Sequence, residues 1–429
     1  MTSISRTDRR VVGSWAFYDF ANSPFTTLVV TFIYAAYFTQ AIAPDVIQGT
    51  ALWSRGVTLT AVLVALLSPI LGALADRGGF RKAFLILATG VCIAGTVALY
   101  WALPGQTLRA LTWFVIANVS FEMGMVFYNA FLPDIAPPER IGRISGFGWA
   151  LGYIGGLVAL VLALFTLVGP EVPWFGFSKQ AGENIRATNL LVAVWFAIFS
   201  LPMFFWVKED RSQVSAPGQI LAQTWRQLAK TFREIREYKQ IIRFLAARLL
   251  YNDGLVTVFA FGGIYAAGTF GFDMQDMLIF GIVLNLTAGL GAFFLGFLDD
   301  LIGGKRTLQI SVVGLIVATV VAVWAPNRAW FWVAGILIGI FAGPNQSASR
   351  SLMGRFVPPD KENEFFGFFA FSGKFTAFLG PFLLGVLTQA FNSQRAGIAV
   401  VLVLFVLGLV LLASVDEEEG MAAAGRSEV

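Results

Sequence analysis

The sequence predicts an all-α membrane protein: twelve transmembrane helices in two six-helix repeats, both termini cytoplasmic. Three observations predict it. Hydrophobic residues make up 57% and charged residues 13% of the 429-residue chain, whereas soluble proteins carry about a quarter charged. Apolar runs long enough for ~30 Å of hydrocarbon, at ~20 residues each, recur along the whole chain, and mean hydropathy is +0.73. Finally, Gly72-Ala-Leu-Ala-Asp76-Arg77-Gly-Gly79-Phe-Arg81-Lys82 returns in altered form as Gly296-Phe-Leu-Asp-Asp300-Leu-Ile-Gly-Gly-Lys305-Arg306. The two aspartates stand 224 positions apart (300 − 76).

The twelve expected spans are 12–39, 56–75, 81–103, 108–132, 143–168, 187–207, 241–268, 275–298, 306–325, 329–353, 364–391 and 396–415. The first is interrupted by Asp19, Asn22 and Pro24. Arg6, Arg9 and Arg10 precede an apolar run far longer than a signal-peptide core, so this segment is expected to remain as a span. With the N-terminus inside and sides alternating, about 20 of the 30 Lys and Arg fall on inner segments and about 6 on outer loops. That bias orients both termini to the cytoplasm. The net charge of +4 therefore reflects lipid orientation, and nucleic acid is excluded as a partner by the lack of a soluble domain.

A second echo supports the duplication. Pro137-Pro138-Glu139-Arg140 precedes Ser145-Gly146-Phe147-Gly148, as Pro358-Pro359-Asp360-Lys361 precedes Phe366-Gly367-Phe368-Phe369. The offset is 221 (359 − 138). Parallel repeats of this kind relate two bundles about an axis normal to the membrane. The expected organisation is a bundle over 1–207, a linker over 208–240, a bundle over 241–415 and an acidic tail over 416–429. Ser215, Pro217 and Gly218 open the linker. Ile220, Leu221, Trp225, Leu228, Phe232, Ile235 and Tyr238 then recur at helical spacing, with Arg226, Lys230, Arg233 and Arg236 between them. This pattern predicts an amphipathic helix on the inner leaflet, with a regulatory helix as the alternative. Asp416-Glu417-Glu418-Glu419 reads as a solvated stop.

Cys92 is the single cysteine and histidine is absent. An internal disulfide, a Ser-His-Asp triad and a zinc cluster are therefore excluded. No cofactor and no enzyme activity is expected, and any proton relay must use carboxylates.

At this point the chain resembles the major facilitator superfamily. The Gly72–Lys82 segment is similar to that superfamily's loop 2–3 signature. Ser14-Trp15-Ala16-Phe17-Tyr18-Asp19-Phe20-Ala21-Asn22-Ser23, with the stretch Asn129 to Pro138, resembles the vacuolar-effluxer-like branch, whose eukaryotic members are autophagy-related amino-acid exporters. The resemblance implies a rocker-switch carrier whose first, fourth, seventh and tenth helices line a cavity. It implies that Gly72, Asp76, Arg77, Gly79, Arg81 and Lys82 form an inner latch, with Gly296, Asp300, Lys305 and Arg306 as its second copy. Leu301 replaces the counterpart of Arg77, which predicts a weaker second latch. The fourth span lacks the superfamily's arginine signature, and the fifth and eleventh only partly match the glycine and proline patterns of exchangers.

Ionised groups near the bilayer centre cost at least ~3 kcal/mol unless partnered or wet. This chain carries Asp19 and Asn22 in the first span, and Asn118, Glu122 and Asn129 in the fourth. The seventh has Arg248, Tyr251, Asn252 and Asp253; the tenth has Asn345, Gln346, Ser349 and Arg350; the eleventh has Lys374. Arg248 could lie near the inner interface and snorkel. Permanent structural pairing of Asp19 with Lys374 or Arg350 is one reading, and Asn118, Asn252 and Asn285 can serve as interhelical glue. The functional reading is a proton-linked carrier for a small polar solute, with an amino-acid zwitterion as the model. Arg350 or Lys374 would hold its carboxylate, Asp19 and Asn22 its ammonium, and Glu122 or Asp253 the coupling proton. The rivals are a carrier of amphipathic or drug-like molecules, and a sensor or scaffold that moves nothing. A bacterial cytoplasmic membrane and a monomer surrounded by lipid are expected.

Overall fold

The computed structural model describes residues 8–209, 220–233, 237–272, 274–359, 361–377 and 379–425. Arg6, Ser215, Pro217, Gly218, Ile235, Arg236 and Asp360 lie outside the described residues, as do the side chains of Leu221 and Phe232. Helices make up most of the described chain. Lipid offers no hydrogen bonds, so the backbone satisfies itself within each segment.

Helix α1 spans Arg9–Pro24, with Asp8 capping its start by accepting from Arg10 N. Pro24 lacks an amide hydrogen, and the chain beyond it widens into π turns over Phe25–Phe32. Helix α2 is Val46–Gly78, capped by Asp45 and stopped by Gly79 in the left-handed region (φ 60°). Helices α3 (Arg81–Leu99), α4 (Thr107–Ala130), α5 (Ile141–Ala163) and α6 (Glu183–Trp206) follow. Helix α7 (Ile220–Arg233) lies in the linker. Then come α8 (Lys239–Phe270), α9 (Met274–Ile302), α10 (Gly304–Trp324) and α11 (Arg328–Phe356). The eleventh expected span is divided into α12 (Glu362–Lys374) and α13 (Leu379–Phe391). Helices α14 (Gln394–Ala413) and α15 (Glu417–Ala423) end the described chain.

Eleven of these helical segments are long and apolar enough to cross a membrane, among the described residues. The expected span over 329–353 is a long helix, α11, but it is not among the eleven. Its second half is polar: Asn345, Gln346, Ser347, Ser349, Arg350 and Ser351 follow Pro344 within one stretch. Nearly all of that stretch is buried against other helices.

One apolar cluster draws only on residues Trp15 to Val207. A second is built chiefly from Ile241 to Val415, joined by Val126 and Ala130. Between the two groups of helices run two long seams: α2 packs along α12, and α9 packs along α5. Both seams need glycine. A Cβ on Gly72 would stand 2.2 Å from Asn363 O, and one on Gly367 would stand 2.4 Å from Ser68 O. On the other seam, a Cβ on Gly146 would stand 2.5 Å from Ala292 O. Backbones this close exclude any side chain, so small residues set where the helices touch.

The linker helix and the tail make contacts that the sequence did not reveal. On α7 the buried face is Thr224, Gln227, Leu228 and Thr231, turned toward α2, while Trp225 is exposed. Its uncharged polar residues therefore face the protein, while Arg226, Lys230 and Arg233 are exposed. In the acidic tail Asp416, Glu418 and Glu419 are exposed, and Glu417 is half-buried. Glu417 accepts from Gly304 N and Lys305 N, both at 2.9 Å, and so caps the start of α10. Free amides at a helix start favour an anion.

Candidate functional site

The polar residues form layers along the bundle axis, beginning at the end that carries both basic loops. In the outermost layer, Asp76 at the end of α2 accepts from Asn363 N (3.1 Å), Asn363 Nδ2 (2.6 Å) and Glu364 N (2.8 Å). Those amides open α12. Asp300 at the end of α9 accepts from Gly142 N (2.9 Å) and Arg143 N (3.3 Å), which open α5. The donor positions are related by 221 (363 − 142; 364 − 143), and the acceptors by 224 (300 − 76). One physical device, a carboxylate on the free amides of a helix start, therefore occurs twice.

Cations surround both copies. Arg81 reaches Glu362 at 3.3 Å and Asp76 at 4.0 Å, and also pairs with Asp134. Arg143 pairs with Asp300, and Arg355 bonds Asp299 at 2.6 Å. The Asp300 copy thus has a cation of its own. Arg143 supplies the cation that Leu301 lacks, a residue that alignment of the two loops could not reveal. Arg77 donates to Gln227 of α7, which in turn donates to Glu364. Lys82 donates to Val207 O (2.7 Å) and Lys305 Nζ to Ala413 O (3.3 Å), while Arg306 is exposed. A Cβ on Gly296 would lie 3.2 Å from Gly142 O.

About 9 Å further in, six residues before the end of α11 at 1.5 Å per residue, lies Arg350. Its guanidinium bonds Asp19 Oδ2 (2.9 Å), Ser145 Oγ (2.9 Å), Ser145 O (2.7 Å) and Asn129 Oδ1 (3.4 Å). The rings of Trp15, Tyr128 and Trp149 lie 4.8, 5.7 and 5.5 Å from it. It is 2% exposed, so it ties α11 to α1, α4 and α5 without access from outside. A Cβ on Gly148 would stand 2.5 Å from Asp19 Oδ2 and 2.7 Å from Arg350 Nη2; glycine there makes room for the pair. Nearby, Tyr153 OH donates to Gln346 Oε1 (2.6 Å), and Tyr251 OH lies 2.9 Å from Ser349 Oγ. Asn345 Nδ2 donates to Ser311 Oγ (3.3 Å). Asn22 turns back to its own helix, on Tyr18 O, and Asn285 does the same on Gly281 O.

Deeper still, Lys374 Nζ on α12 donates to Glu122 Oε1 on α4 at 2.6 Å. Unlike the Asp19–Arg350 pair, this pair stays accessible: the side chains are 30% and 21% exposed. Arg248 does not snorkel. It donates to Phe369 O (2.7 Å) and Ser372 Oγ (2.8 Å) and lies 3.6 Å over the Phe369 ring. Asn252 Nδ2 donates to Gly373 O (3.2 Å). Asp253 is buried and, among the described residues, its carboxylate accepts from the Gly380 amide at 3.0 Å. Asn118 is buried. Among the described residues no group of three His, Cys, Asp or Glu could hold a metal ion.

Sequence reading missed Trp15, Tyr128, Trp149 and Ser145 around Arg350, and Asp134, Asp299, Arg355, Glu362, Asn363 and Glu364 around the latches. The second echo did mark the starts of α5 and α12, where the accepting carboxylates dock.

The matches to known proteins agree with this architecture. A family model described as vacuole effluxer Atg22 like matches residues 47–425. The chain is 29% identical over 408 residues to YxiO of Bacillus subtilis, described as an uncharacterized MFS-type transporter, covering 94% of each chain. It is 24% identical over 464 residues to autophagy-related protein 22 of Yarrowia lipolytica, covering 87% of this chain and 76% of that one. Among solved structures, the proton:xylose symporter XylE superposes with a TM-score of 0.73 at 12% identity, covering 96% of both chains. At that identity the likeness speaks to fold alone, and the fold is that of the major facilitator superfamily.

Proposed function

The chain belongs to the vacuole effluxer Atg22-like family, and from that premise we propose that this multi-pass membrane transporter is a secondary active carrier of a small polar solute, coupled to protons. It works by alternating access between two six-helix bundles, 1–207 and 241–415, with twelve spans and the basic end in the cytoplasm. The sealed state of the basic end and the openness of the Glu122–Lys374 pair correspond to a carrier facing away from the cytoplasm. A bacterial cytoplasmic membrane is the proposed location.

The observation that carries this reading is the accessible acid–base pair above the buried Asp19–Arg350 contact. Asp19 and Arg350 hold each other in a buried contact, 5% and 2% exposed, with little surface open to a solute in this state. Glu122 and Lys374 present opposite charges from different bundles, and a zwitterion can replace each partner with its own ammonium or carboxylate. Binding would then separate the pair's mutual hold and substitute a bridge through the solute. An amino acid fits that chemistry. A charged group that keeps water on one side pays less desolvation than a sealed one, so exchange of partners is feasible there.

The test is uptake into proteoliposomes of amino acids, sugars and a cationic dye, with and without an imposed proton gradient. Amino-acid flux that follows the gradient and falls at least tenfold in Lys374→Met supports the reading. Dye flux that survives both Lys374→Met and Glu122→Gln would instead favour a carrier of amphipathic molecules.

A further inference from the structure

The eleventh span is broken, and the break has a cause in the sequence. Pro381 has no amide hydrogen and crowds the carbonyl four residues back. The chain tightens before it: Leu379 N bonds Thr376 O (2.7 Å) and Ala377 N bonds Lys374 O (3.3 Å), both three-residue steps. In a continuous helix Thr376 O would accept from Gly380 N. Here it is taken, and Gly380 N turns to Asp253 Oδ2 of α8 at 3.0 Å. Glycine is required at that point, since a Cβ would stand 2.1 Å from Thr257 Oγ1 and 3.2 Å from Asp253 Oδ1.

The break is also where the span changes partners. Before it, α12 packs along α2 in the other group of helices. After it, α13 packs chiefly on α14 and α8. The fold therefore places a joint at the point where the span leaves the seam.

Asp253 is 1% exposed, and its Oδ1 has no hydrogen-bond partner among the described residues. The other acids of the bundle interior face cations: Asp19 has Arg350, Glu122 has Lys374, Asp299 has Arg355 and Asp300 has Arg143. Glu364 also lacks a cation, but it belongs to the latch, where Gln227 donates to it. The cations on elements packed around Asp253 are engaged elsewhere. Arg248, on its own helix, bonds Phe369 O and Ser372; Lys374, at the end of α12, bonds Glu122. Arg395, the one charged residue of α14, bonds Val323 O and Ala325 O, and α13 carries no charged residue. Arg350 of α11 bonds Asp19. The remaining polar neighbours are neutral: Asn252 donates to Gly373 O and Thr257 to Asp253 O.

We propose that Asp253 and the start of α13 form a proton-operated hinge, in which one proton on the open Oδ1 position releases α13 from α8 and lets the outer half of the eleventh span swing. As a carboxylate, Asp253 holds α13 by a charge-assisted bond to the Gly380 amide and by the positive helix start. As a neutral acid it keeps an ordinary hydrogen bond and loses the charge–dipole attraction. The proposal rests on the carrier reading and deepens it, since it assigns the coupling proton to Asp253 rather than Glu122.

The test needs no solute. Spin labels at Phe382→Cys on α13 and Leu59→Cys on α2, both exposed, are placed in a Cys92→Ala background, and their distance distribution is measured from pH 5 to 9. The expected result is a pH-dependent change that persists in Glu122→Gln and is lost in Asp253→Asn, which stays in the low-pH distribution at every pH. If Asp253→Asn does not fold, Asp253→Glu serves, with a displaced midpoint expected. An invariant distance, or a change that survives unaltered in the Asp253 variants, overturns the hinge and leaves solute transport standing. A hinge that responds as expected in a protein moving no polar solute would keep the hinge and remove the carrier reading.

Discussion

Asp76 on α2 and Asn363 at the start of α12 stand 287 residues apart in the chain and meet twice, through the Asn363 amide at 3.1 Å and its side chain at 2.6 Å. Asp300 and Gly142 make the counterpart contact at 2.9 Å. Opening the basic end requires both carboxylates to leave helix starts that have no other partner for those amides within the helix. Polar contacts of this kind join the two groups of helices at this end, with glycine seams bringing the backbones into range.

Removing a latch should therefore loosen one end only. Hydrogen bonds to a charged group contribute about 1.5–3 kcal/mol each, and Asp76 accepts three. Asp76→Ala is expected to raise maleimide labelling of Ala136→Cys, a buried position at that end, by at least about tenfold, the equivalent of 1.4 kcal/mol. Asp300→Ala should do the same. Unchanged labelling in both would remove the latch.

The seams predict a contrast among glycines. Gly72→Ala and Gly148→Ala should each lower thermal stability in detergent by about 1–3 kcal/mol, because a backbone carbonyl or a buried ion pair occupies the new methyl's position. Gly90→Ala, with nothing within 4 Å of its Cβ, should be neutral or stabilising by up to about 1 kcal/mol through helix propensity. Equal melting temperatures in all three would contradict the close approach.

Arg350 and Asp19 should show non-additive energetics. Deleting either partner alone leaves a buried charge, a loss of about 3–5 kcal/mol, whereas replacing both by apolar groups is far milder. Asp19→Leu and Arg350→Met are thus each expected to be less stable than the double variant. Arg350→Lys should not rescue transport, since a lysine cannot span Asp19, Ser145 and three rings at once. A double variant no more stable than the singles would mean the pair is not held as described.

Charge reversal separates structure from binding at the accessible pair. Glu122→Lys with Lys374→Glu restores an ion pair but exchanges the ends at which a zwitterion's groups would dock. Stability should return to near that of the parent, while the KM for an amino acid rises at least about tenfold. Full recovery of transport would show that the two residues serve only to hold α4 to α12.

The tail offers a fifth measurement. Glu417→Gln keeps one acceptor for the Gly304 and Lys305 amides but drops the charge that faces Arg355 at 3.6 Å. A loss of about 0.5–1.5 kcal/mol in stability is expected for a partly exposed contact of this kind. Removal of the tail beyond Val415 should exceed it, because Gly420 packs against Phe356. If both changes are silent, the tail docks without consequence.

The sequence by itself determined the helical membrane class, the duplicated loops and the polar inventory of the spans. These are local or periodic properties: hydropathy must match bilayer thickness, and a repeated loop keeps its own spelling. It also marked Asp76 and Asp300 as paired sites. Only the tertiary structure decided which charge meets which. Asp19 could have faced Lys374 or Arg350, and the choice depends on the depth of each residue in its helix and on Gly148 leaving space. The inward-facing side of α7, the docking of Glu417 and the partnering of Asp253 with a freed amide followed the same rule. Each depends on groups far apart in the chain whose backbone or side-chain valences are left over after local structure forms, and packing alone brings them within bonding distance.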